Sequence, residues 1–137
     1  MVTTLTRVQQ LFQERIDATL RPYALTFARF EALVLLTFSR RGSLPLGKMG
    51  ERLQVHPTSV TSIVRRLEAA GLVTRTPHPD DGRAVLCEIT QDGRDLVERA
   101  TADLVAADFA LSGLTDEQLE MLWSVLEPLR HNAGDFT

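Results

Sequence analysis

The stretch HPTSVTSIVRRLEAAGLV, residues 56–73, decides the fold because it places two opposed faces on one predicted helix. Pro57 suits the first helical turn, where its missing N–H loses no hydrogen bond. At about 100° per residue, one face of a helix over residues 57–70 is apolar and consists of Val60, Ile63, Val64 and Leu67. The other side carries hydroxyl and guanidinium groups, on Thr58, Ser59, Thr61, Ser62, Arg65 and Arg66.

The composition of the polar side bears on its function. Solvated helix faces are mostly Glu, Lys and Gln, which favour helix, whereas Ser and Thr lower helix propensity. Short hydroxyl side chains let a helix approach a phosphate backbone closely, and a neighbouring arginine can reach guanine in the major groove or a phosphate. On this segment alone, DNA recognition and an ordinary solvated face both remain open.

The residues before this helix complete a helix-turn-helix. A short helix is predicted over residues 46–53, although Gly47 and Gly50 each cost it roughly 1 kcal/mol relative to alanine. The three residues 54–56 then form a turn before the amphipathic helix. This arrangement is typical of proteins that place the second helix in a major groove.

A two-stranded ribbon is predicted directly after the helix-turn-helix. Residues 72–76 and 84–89 are rich in Val, Leu and Ile, and PHPDDG between them is typical of a turn. Arg83 at the tip is well placed for a neighbouring minor groove, whose negative potential attracts a guanidinium. The alternative is a solvated loop arginine paired with Asp80 or Asp81, and such a carboxylate could also hold the guanidinium in its reaching rotamer.

Two helices are predicted before this region. The first has apolar residues at helical spacing from Leu5 to Ile16, and Pro22 ends it. Thr26 is the expected N-cap of the second, and Gly42 closes it. The apolar stripe of the second helix consists of Phe30, Leu33, Val34 and Phe38.

Two further helices are predicted after the ribbon. A long helix follows Thr90 and carries Leu96, Val97, Ala100, Leu104, Ala107 and Leu111. Thr115 and Gln118 form a capping box that opens the last helix, which Pro128 should kink or end. Its apolar stripe, Leu119, Leu122, Trp123 and Leu126, is either intramolecular core or partly an interface between subunits.

Length and composition fit one ordinary soluble domain of 137 residues, of which 44% are hydrophobic. No apolar run reaches the about 18 residues of a membrane span, and the N-terminus lacks the pattern of a signal peptide. A cytoplasmic location is therefore expected. The single cysteine, Cys87, excludes an internal disulfide framework and is expected to pack as an inert small hydrophobe.

The charges are divided unevenly along the chain. Residues 40–83 hold eight basic and four acidic side chains, a net charge of +4. Residues 84–137 hold three arginines and eleven acidic side chains, a net charge of −8, while residues 1–39 contribute +1. The overall charge of −3 thus conceals a basic middle region, which is compatible with local binding of an anionic partner.

These features together resemble the MarR family of bacterial winged-helix transcription regulators. The wing pattern of the family is D-x-R-(S/A), four residues, then L-T-x-x-G, and here it reads DGRAVLCEITQDG. Ile89 stands in place of the leucine, and the other matching positions are Asp81, Arg83, Ala84, Thr90 and Gly93. LTFARFEALVLL resembles the second helix of the family, and residues 46–75 resemble its helix-turn-helix.

The resemblance implies a mainly α fold with a small β-wing, in a single domain over residues 1–137. Residues 37–90 would form the winged helix-turn-helix, and residues 1–36 and 91–137 a dimerisation region. It implies a homodimer that binds a palindromic operator in double-stranded DNA, usually as a repressor. The implied DNA contacts are Pro57, Thr58, Ser59, Thr61, Ser62, Arg65, Arg66, Asp81 and Arg83.

Many members of the family release DNA on binding small, often aromatic and anionic, ligands between the two regions. In this chain the residues offering charge and aromatic surface there are Arg15, Tyr23, Phe27 and Arg29, which helical amphipathicity explains equally well. Redox-sensing members use a reactive cysteine near the N-terminus, which this chain lacks. His56 stands where many relatives have a serine cap; imidazole is a poorer cap, and we expect a plain turn residue rather than a phosphate contact.

No enzyme is indicated, because no metalloprotease motif, Cys-His metal spacing, phosphate loop or nucleophile elbow occurs. No catalytic residue, cofactor or metal is predicted, although His56, His78 and Cys87 could in principle approach a metal near the wing. The alternative function is a winged-helix module for protein assembly without DNA binding, since fold alone does not fix function.

Overall fold

The computed structural model describes residues 1–135. The helices and strands of this range, in chain order, are α1 (Val2–Leu20), α2 (Phe27–Phe38), β1 (Ser43–Pro45), α3 (Leu46–Leu53), α4 (Pro57–Ala69), β2 (Val73–Pro77), β3 (Val85–Ile89), α5 (Gln91–Ala106) and α6 (Asp116–Asn132). Short 3-10 turns lie at Arg21–Tyr23, Arg40–Gly42 and Asp108–Ala110. The predicted mainly α fold with a small β-wing is confirmed.

The three strands form one antiparallel sheet in the order β1-β3-β2. β2 and β3 are the predicted ribbon, each beginning one residue later than expected. β1 was not predicted, because three residues are too few to show an alternating pattern. It exists through its partner strand, with Ser43 opposite Glu88 and Pro45 opposite Leu86.

The core lies where α2, α4 and α5 meet the sheet. Its fully buried side chains come from each of these elements, from α1 and from α3, and they include Leu20, Leu33, Leu36, Met49, Val64, Leu67, Val73, Cys87, Ala100 and Leu104. Burial of apolar side chains contributes about 1.5–3 kcal/mol each for the larger ones. The helix-turn-helix and the ribbon are therefore anchored to the same core as the long helix α5.

The ends of α2 differ in how well they were predicted. At its start, the Thr26 hydroxyl accepts the Arg29 N–H at 3.4 Å, which confirms the predicted cap. At its end, the helix stops at Phe38 rather than at Gly42, since the Ser39 hydroxyl donates to the Leu36 carbonyl at 2.7 Å and Ser39 is extended. Phe38, predicted on the apolar stripe, consequently lies outside the core and is 85% exposed.

The long helix after the ribbon is shorter than predicted. α5 ends at Ala106, so Ala107 and Leu111 lie beyond it. The next turn, Asp108–Ala110, is left-handed throughout, with φ of 52°, 49° and 66° at its three residues. Non-glycine residues rarely adopt this conformation. The helical spacing of the apolar residues continues through this turn and therefore does not predict it. Arg15 supports the turn by donating from Nη1 to the Ala110 carbonyl at 3.2 Å.

The last helix begins as predicted but continues past its proline. The Thr115 hydroxyl accepts the Gln118 N–H at 3.2 Å, and the Gln118 side chain accepts the Thr115 N–H at 2.9 Å. The expectation that Pro128 ends the helix is wrong, because α6 runs to Asn132, and a kink at Pro128 stays a prediction. Proline removes one N–H donor, and the final turn is closed by bonds from the Ala133 N–H.

Within residues 1–135, no other part of the chain covers the apolar sides of α1 and α6. No residue of α6 is buried, and Trp123 is 62% exposed. The exposed large apolar residues of the two helices are Val2, Leu5, Val8, Met121, Leu122, Trp123, Val125, Leu126 and Leu129. The alternative that the α6 stripe is intramolecular core is therefore wrong. Apolar surface of this extent is typical of an interaction site.

Gly93 permits close packing between the start of α5 and the ribbon. A Cβ at this position would lie 2.3 Å from the Leu72 carbonyl oxygen and 2.7 Å from Cγ1 of Ile89. The Thr90 hydroxyl accepts the Gly93 N–H at 3.1 Å, so the backbone is held at this point. The glycine of the wing motif thus has a packing role.

We predict that Gly93→Ala lowers the free energy of unfolding by about 1–3 kcal/mol, because the new methyl group must displace main chain. Gly47→Ala is the matched control: nothing lies within 4 Å of a Cβ there, so alanine should stabilise α3 by up to about 1 kcal/mol. Urea unfolding followed by circular dichroism, at equal protein concentration, measures both. Equal stability of the two variants would contradict the prediction.

Candidate DNA-binding surface

The two faces of α4 are arranged as predicted. Val60, Val64 and Leu67 are buried, and Ile63 is half-buried against them. The polar side is open to solvent at Pro57, Thr58, Ser59, Ser62, Arg65 and Arg66, while Thr61 is half-buried. An open cleft along this side is lined by Thr58, Thr61, Ser62, Arg65 and Arg66. These groups can therefore be reached by a large ligand.

His56 caps the start of α4, a role that was not expected from the sequence. Its Nδ1 accepts the Thr58 N–H at 3.1 Å, and its backbone is extended. Nδ1 must be unprotonated to accept this bond, so the ring N–H is on Nε2. The same side chain that ends the turn thus satisfies a backbone donor at the N-terminus of the helix.

Thr61 differs from its hydroxyl neighbours. Its Oγ1 donates to the Pro57 carbonyl at 3.1 Å within the helix. This bond uses the only donor of the side chain, so the hydroxyl oxygen can only accept from a ligand, and the methyl group remains for apolar contact. Apolar contact of this kind suits the methyl group of thymine.

The packing of α3 against α4 gives Gly50 a role. A Cβ at Gly50 would lie 3.2 Å from Cγ2 of Val60 and 3.4 Å from the Val55 carbonyl oxygen. The glycine therefore lets α3 approach α4 closely, in addition to lowering helix propensity. Gln54 follows α3 in the left-handed conformation, with φ of 57°, and reverses the chain toward α4.

The tip of the wing is held by local hydrogen bonds. The Asp81 carboxylate accepts the backbone N–H of Arg83 at 3.0 Å, and His78 Nδ1 accepts the Asp80 N–H at 3.1 Å. Arg83 takes part in none of the four ion pairs of residues 1–135, so the alternative in which its guanidinium pairs with Asp80 or Asp81 is wrong. Asp81 shapes the loop, and the Arg83 side chain is exposed.

The four candidate ligand residues do not form one site. Arg15 bonds the Ala110 carbonyl, and Arg29 Nη1 donates to the Ala24 carbonyl at 3.5 Å. The Tyr23 hydroxyl donates to the Asp103 carboxylate, and this hydrogen bond raises the pKa of Tyr23. Of the four candidates, only Phe27 lines the apolar cleft between α1, α2 and α6, which has a volume of about 440 Å³. The other apolar residues that line this cleft are Leu5, Val8, Phe12, Ile16, Leu122 and Leu126.

Cys87 is enclosed in the sheet. Its side chain is 0% exposed, and burial followed by the nearby Glu68 carboxylate raises its pKa to about 12. Among the described residues, no group of three or more His, Cys, Asp or Glu is arranged to hold a metal ion. None of the helices within residues 1–135 combines the length and apolarity that a membrane crossing requires.

We predict that Cys87 in the folded protein reacts with a thiol reagent at least about 100-fold more slowly than in urea, because little thiolate forms far below a pKa of about 12. The rate is measured with an aromatic disulfide reagent at pH 7.5. Free cysteine in the same urea solution is the control for effects of denaturant. Rapid stoichiometric reaction of the native protein would contradict an inert role.

Comparisons with known proteins agree with this architecture. Residues 26–85 match the model of the MarR family. A solved MarR family transcriptional regulator from Streptomyces coelicolor is 52% identical, with a TM-score of 0.94 over 98% of this chain and 94% of that chain. Another from the same organism, solved in complex with DNA, has a TM-score of 0.86 at 22% identity, over 95% of this chain and 83% of that one.

A curated relative extends the comparison. The organic hydroperoxide resistance transcriptional regulator of Bacillus subtilis (strain 168) is 35% identical over 77% of this chain and 69% of its own length. The proteins compared are transcription regulators by name, and the chain is accordingly not an enzyme. The fold, the two-faced α4 and these similarities have one explanation: the chain belongs to the MarR family of transcriptional regulators.

Proposed function

We propose that the chain is a homodimeric, sequence-specific DNA-binding repressor that acts in the cytoplasm. The observation that carries the proposal is the solvent-exposed hydroxyl and guanidinium side of α4, opposite a fully buried apolar side. Residues 37–90 are the DNA-binding region, and residues 1–36 and 91–137 the dimerisation region. The solved relative in complex with DNA supports a nucleic-acid partner for this fold.

In this proposal α4 enters the major groove by its N-terminal half. Pro57, Thr58 and Ser59 approach the backbone, and Thr61 offers its methyl group and an acceptor oxygen to base edges. Ser62 faces base edges or phosphates, and the arginines reach guanine or phosphate. The residues in direct contact are Pro57, Thr58, Ser59, Thr61, Ser62, Arg65 and Arg66. Arg83 enters the flanking minor groove, and Asp81 holds the loop that presents it.

The uncovered apolar sides of α1 and α6 support dimerisation. A second copy of the chain would cover both and present a second α4. Two-fold symmetry then requires a palindromic operator whose half-sites are about 34 Å apart. Binding to such an operator excludes other proteins from the same DNA, which is the physical basis of repression.

Release by a small aromatic anion is the regulatory part of the proposal. The apolar cleft of about 440 Å³ would bind an aromatic ring at its inner end, beside Phe12 and Phe27. Its outer residues, Leu5, Val8, Leu122 and Leu126, belong to the surface that the second copy covers. Arg15, Tyr23 and Arg29 would have to leave their present partners to bind the anionic group. A ligand there would act on α1, α2 and α6 together.

The test of DNA binding begins with selection of bound fragments from genomic DNA of the source organism. Affinity for the selected operator should fall steeply as salt rises, because bound phosphates release counterions. Small aromatic acids are then screened for release of the operator. Absence of any salt-dependent binding would overturn the proposal and favour a protein-assembly module.

We predict that Arg83→Ala weakens operator binding by about tenfold or more, because one cation leaves the minor groove. Arg21→Ala, which removes the same charge from an exposed 3-10 turn, is the control and should change affinity less than about twofold. Fluorescence anisotropy gives the affinities, and analytical ultracentrifugation checks that both variants remain dimers. Equal affinity of Arg83→Ala and wild type would contradict the assigned contact.

We predict that Leu122→Asp shifts the protein from dimer to monomer, because it places a charge in the apolar surface that the second copy covers. The monomer should bind the palindromic operator at least about 100-fold more weakly, since the two half-sites are no longer linked. Ser124→Asp adds the same carboxylate to the opposite side of α6 as a control. A Leu122→Asp protein that sediments as a dimer would refute the assigned interface.

A further inference from the structure

An ion pair joins the last turn of α4 to the wing. Arg75 Nη2 in β2 donates to Glu68 Oε1 in α4 at 2.9 Å, and the two side chains are only 32% and 37% exposed. The other three ion pairs within residues 1–135 join groups of one helix or of its immediate end. In the described chain this pair is therefore the ionic connection between the two elements of the proposed DNA interface.

Arg75 depends on this connection for its position. It lies opposite Cys87 in the β2–β3 register, and its buried Nε has no hydrogen-bond partner. The hydrogen bond from Arg75 lowers the pKa of Glu68, and that same bond raises the pKa of Arg75. Because Nε is shielded from water and Nη2 is bonded to Glu68, the pair favours one relative placement of helix and strand.

Packing does not fix the outer part of the wing in the same way. An open cleft of about 270 Å³ lies beside the pair and is lined by Glu68, Arg75, Thr76, Pro77, Gly82, Ala84 and Val85. Residues 79–83 are all exposed. Side chains therefore do not fill the space between the end of α4 and the outer ribbon.

A small change in the angle of the wing at the ion pair moves the wing tip by a larger distance, because the tip lies farther along the ribbon. Arg75 is followed by three residues before the exposed loop, which corresponds to about 10 Å at a strand rise of about 3.3 Å per residue. A tilt of about 10° at Arg75 would move the tip by roughly 2 Å, enough to misplace a guanidinium that has to form hydrogen bonds of about 2.9 Å.

We infer that the Glu68–Arg75 pair sets the angle between the wing and α4, so that Arg83 reaches a minor groove while α4 occupies the adjacent major groove. The inference rests on the proposed DNA-binding function. Glu68 and Arg75 are positioning residues in this scheme, because they act on DNA through Arg83. Their contribution should therefore disappear when Arg83 is removed.

A double-mutant cycle tests this dependence with the selected operator and full-length protein. Glu68→Gln should weaken binding about fivefold or more in the wild-type background, and less than about twofold in the Arg83→Ala background. Glu14→Gln removes a carboxylate from the exposed Arg7–Glu14 pair, whose atoms are 4.0 Å apart, and serves as the control with less than about twofold effect. Equal effects of Glu68→Gln in both backgrounds would overturn the inference.

Two further measurements separate positioning from general loss of structure. Hydroxyl-radical footprinting of Glu68→Gln should lose protection in the flanking minor groove and retain it at the major-groove half-sites. The exchanged pair, Glu68→Arg with Arg75→Glu, should recover at least half of the lost affinity. Uniform loss of protection, or no recovery by the exchanged pair, would contradict the inference.

Failure of the positioning role and failure of the proposed DNA binding give different experimental results. If Glu68→Gln does not fold by circular dichroism, Arg75→Met takes its place, since methionine retains the apolar stem and removes the guanidinium. A wild-type protein that binds no DNA fragment overturns the proposed function. A wild-type protein that binds its operator while the cycle is additive overturns only the positioning role.

Discussion

The burial of one side of α4 is the constraint on which the rest of the structure depends. Val60, Val64 and Leu67 are each no more than 2% exposed. Because successive residues of a helix are about 100° apart, fixing these three side chains inward fixes the opposite side outward. A rotation by one residue would bury hydroxyl and guanidinium groups without partners, at a cost of several kcal/mol. The same apolar contacts that fold the chain therefore also orient its polar surface.

Several small features around α4 hold this orientation. Gly50 allows α3 to come close to Val60, and His56 satisfies a backbone donor at the first turn. Gln54 turns the chain between the two helices, and its side chain donates to Asp135, just past the end of α6. Arg130 Nε also donates to Asp135, at 2.7 Å. The C-terminal end of α6 is thus tied to the turn of the helix-turn-helix by the same carboxylate.

The features that could be predicted from the sequence depend on neighbours along the chain. The capping residues Thr26 and Thr115 and the opposed faces of α4 belong to this class, since their partners are three or four residues away. β1 requires β3, more than forty residues later, and its three residues carry no signal of their own. The left-handed turn at Asp108–Ala110 goes against local preference and is supported by Arg15 from α1. Long-range contacts of this kind leave no periodic trace in the sequence.

The same distinction applies to the candidate site. Exposure of Ser62, Arg65 and Arg83 followed from periodicity and from the position of the turn. The internal bond of Thr61 and the role of Asp81 as a backbone acceptor needed the geometry. The Glu68–Arg75 pair could be identified only from the structure, because its partners are seven positions apart and lie on a helix and a strand. Sequence alone thus identifies which groups face outward, and the fold determines which of them support the others.

The distribution of charge determines which surface of the molecule attracts an anionic partner. A chain of net charge −3 is not attracted to DNA as a whole, and residues 84–137 with their charge of −8 would be repelled. Residues 40–83 carry +4 in the segment that includes α4, β2 and the tip of the wing. Charges beyond about 10 Å are largely screened at about 0.1 M salt, so a nearby phosphate responds to this local excess rather than to the total. The acidic region repels DNA that approaches it, so DNA binds on the side where the burial of α4 has exposed its polar face.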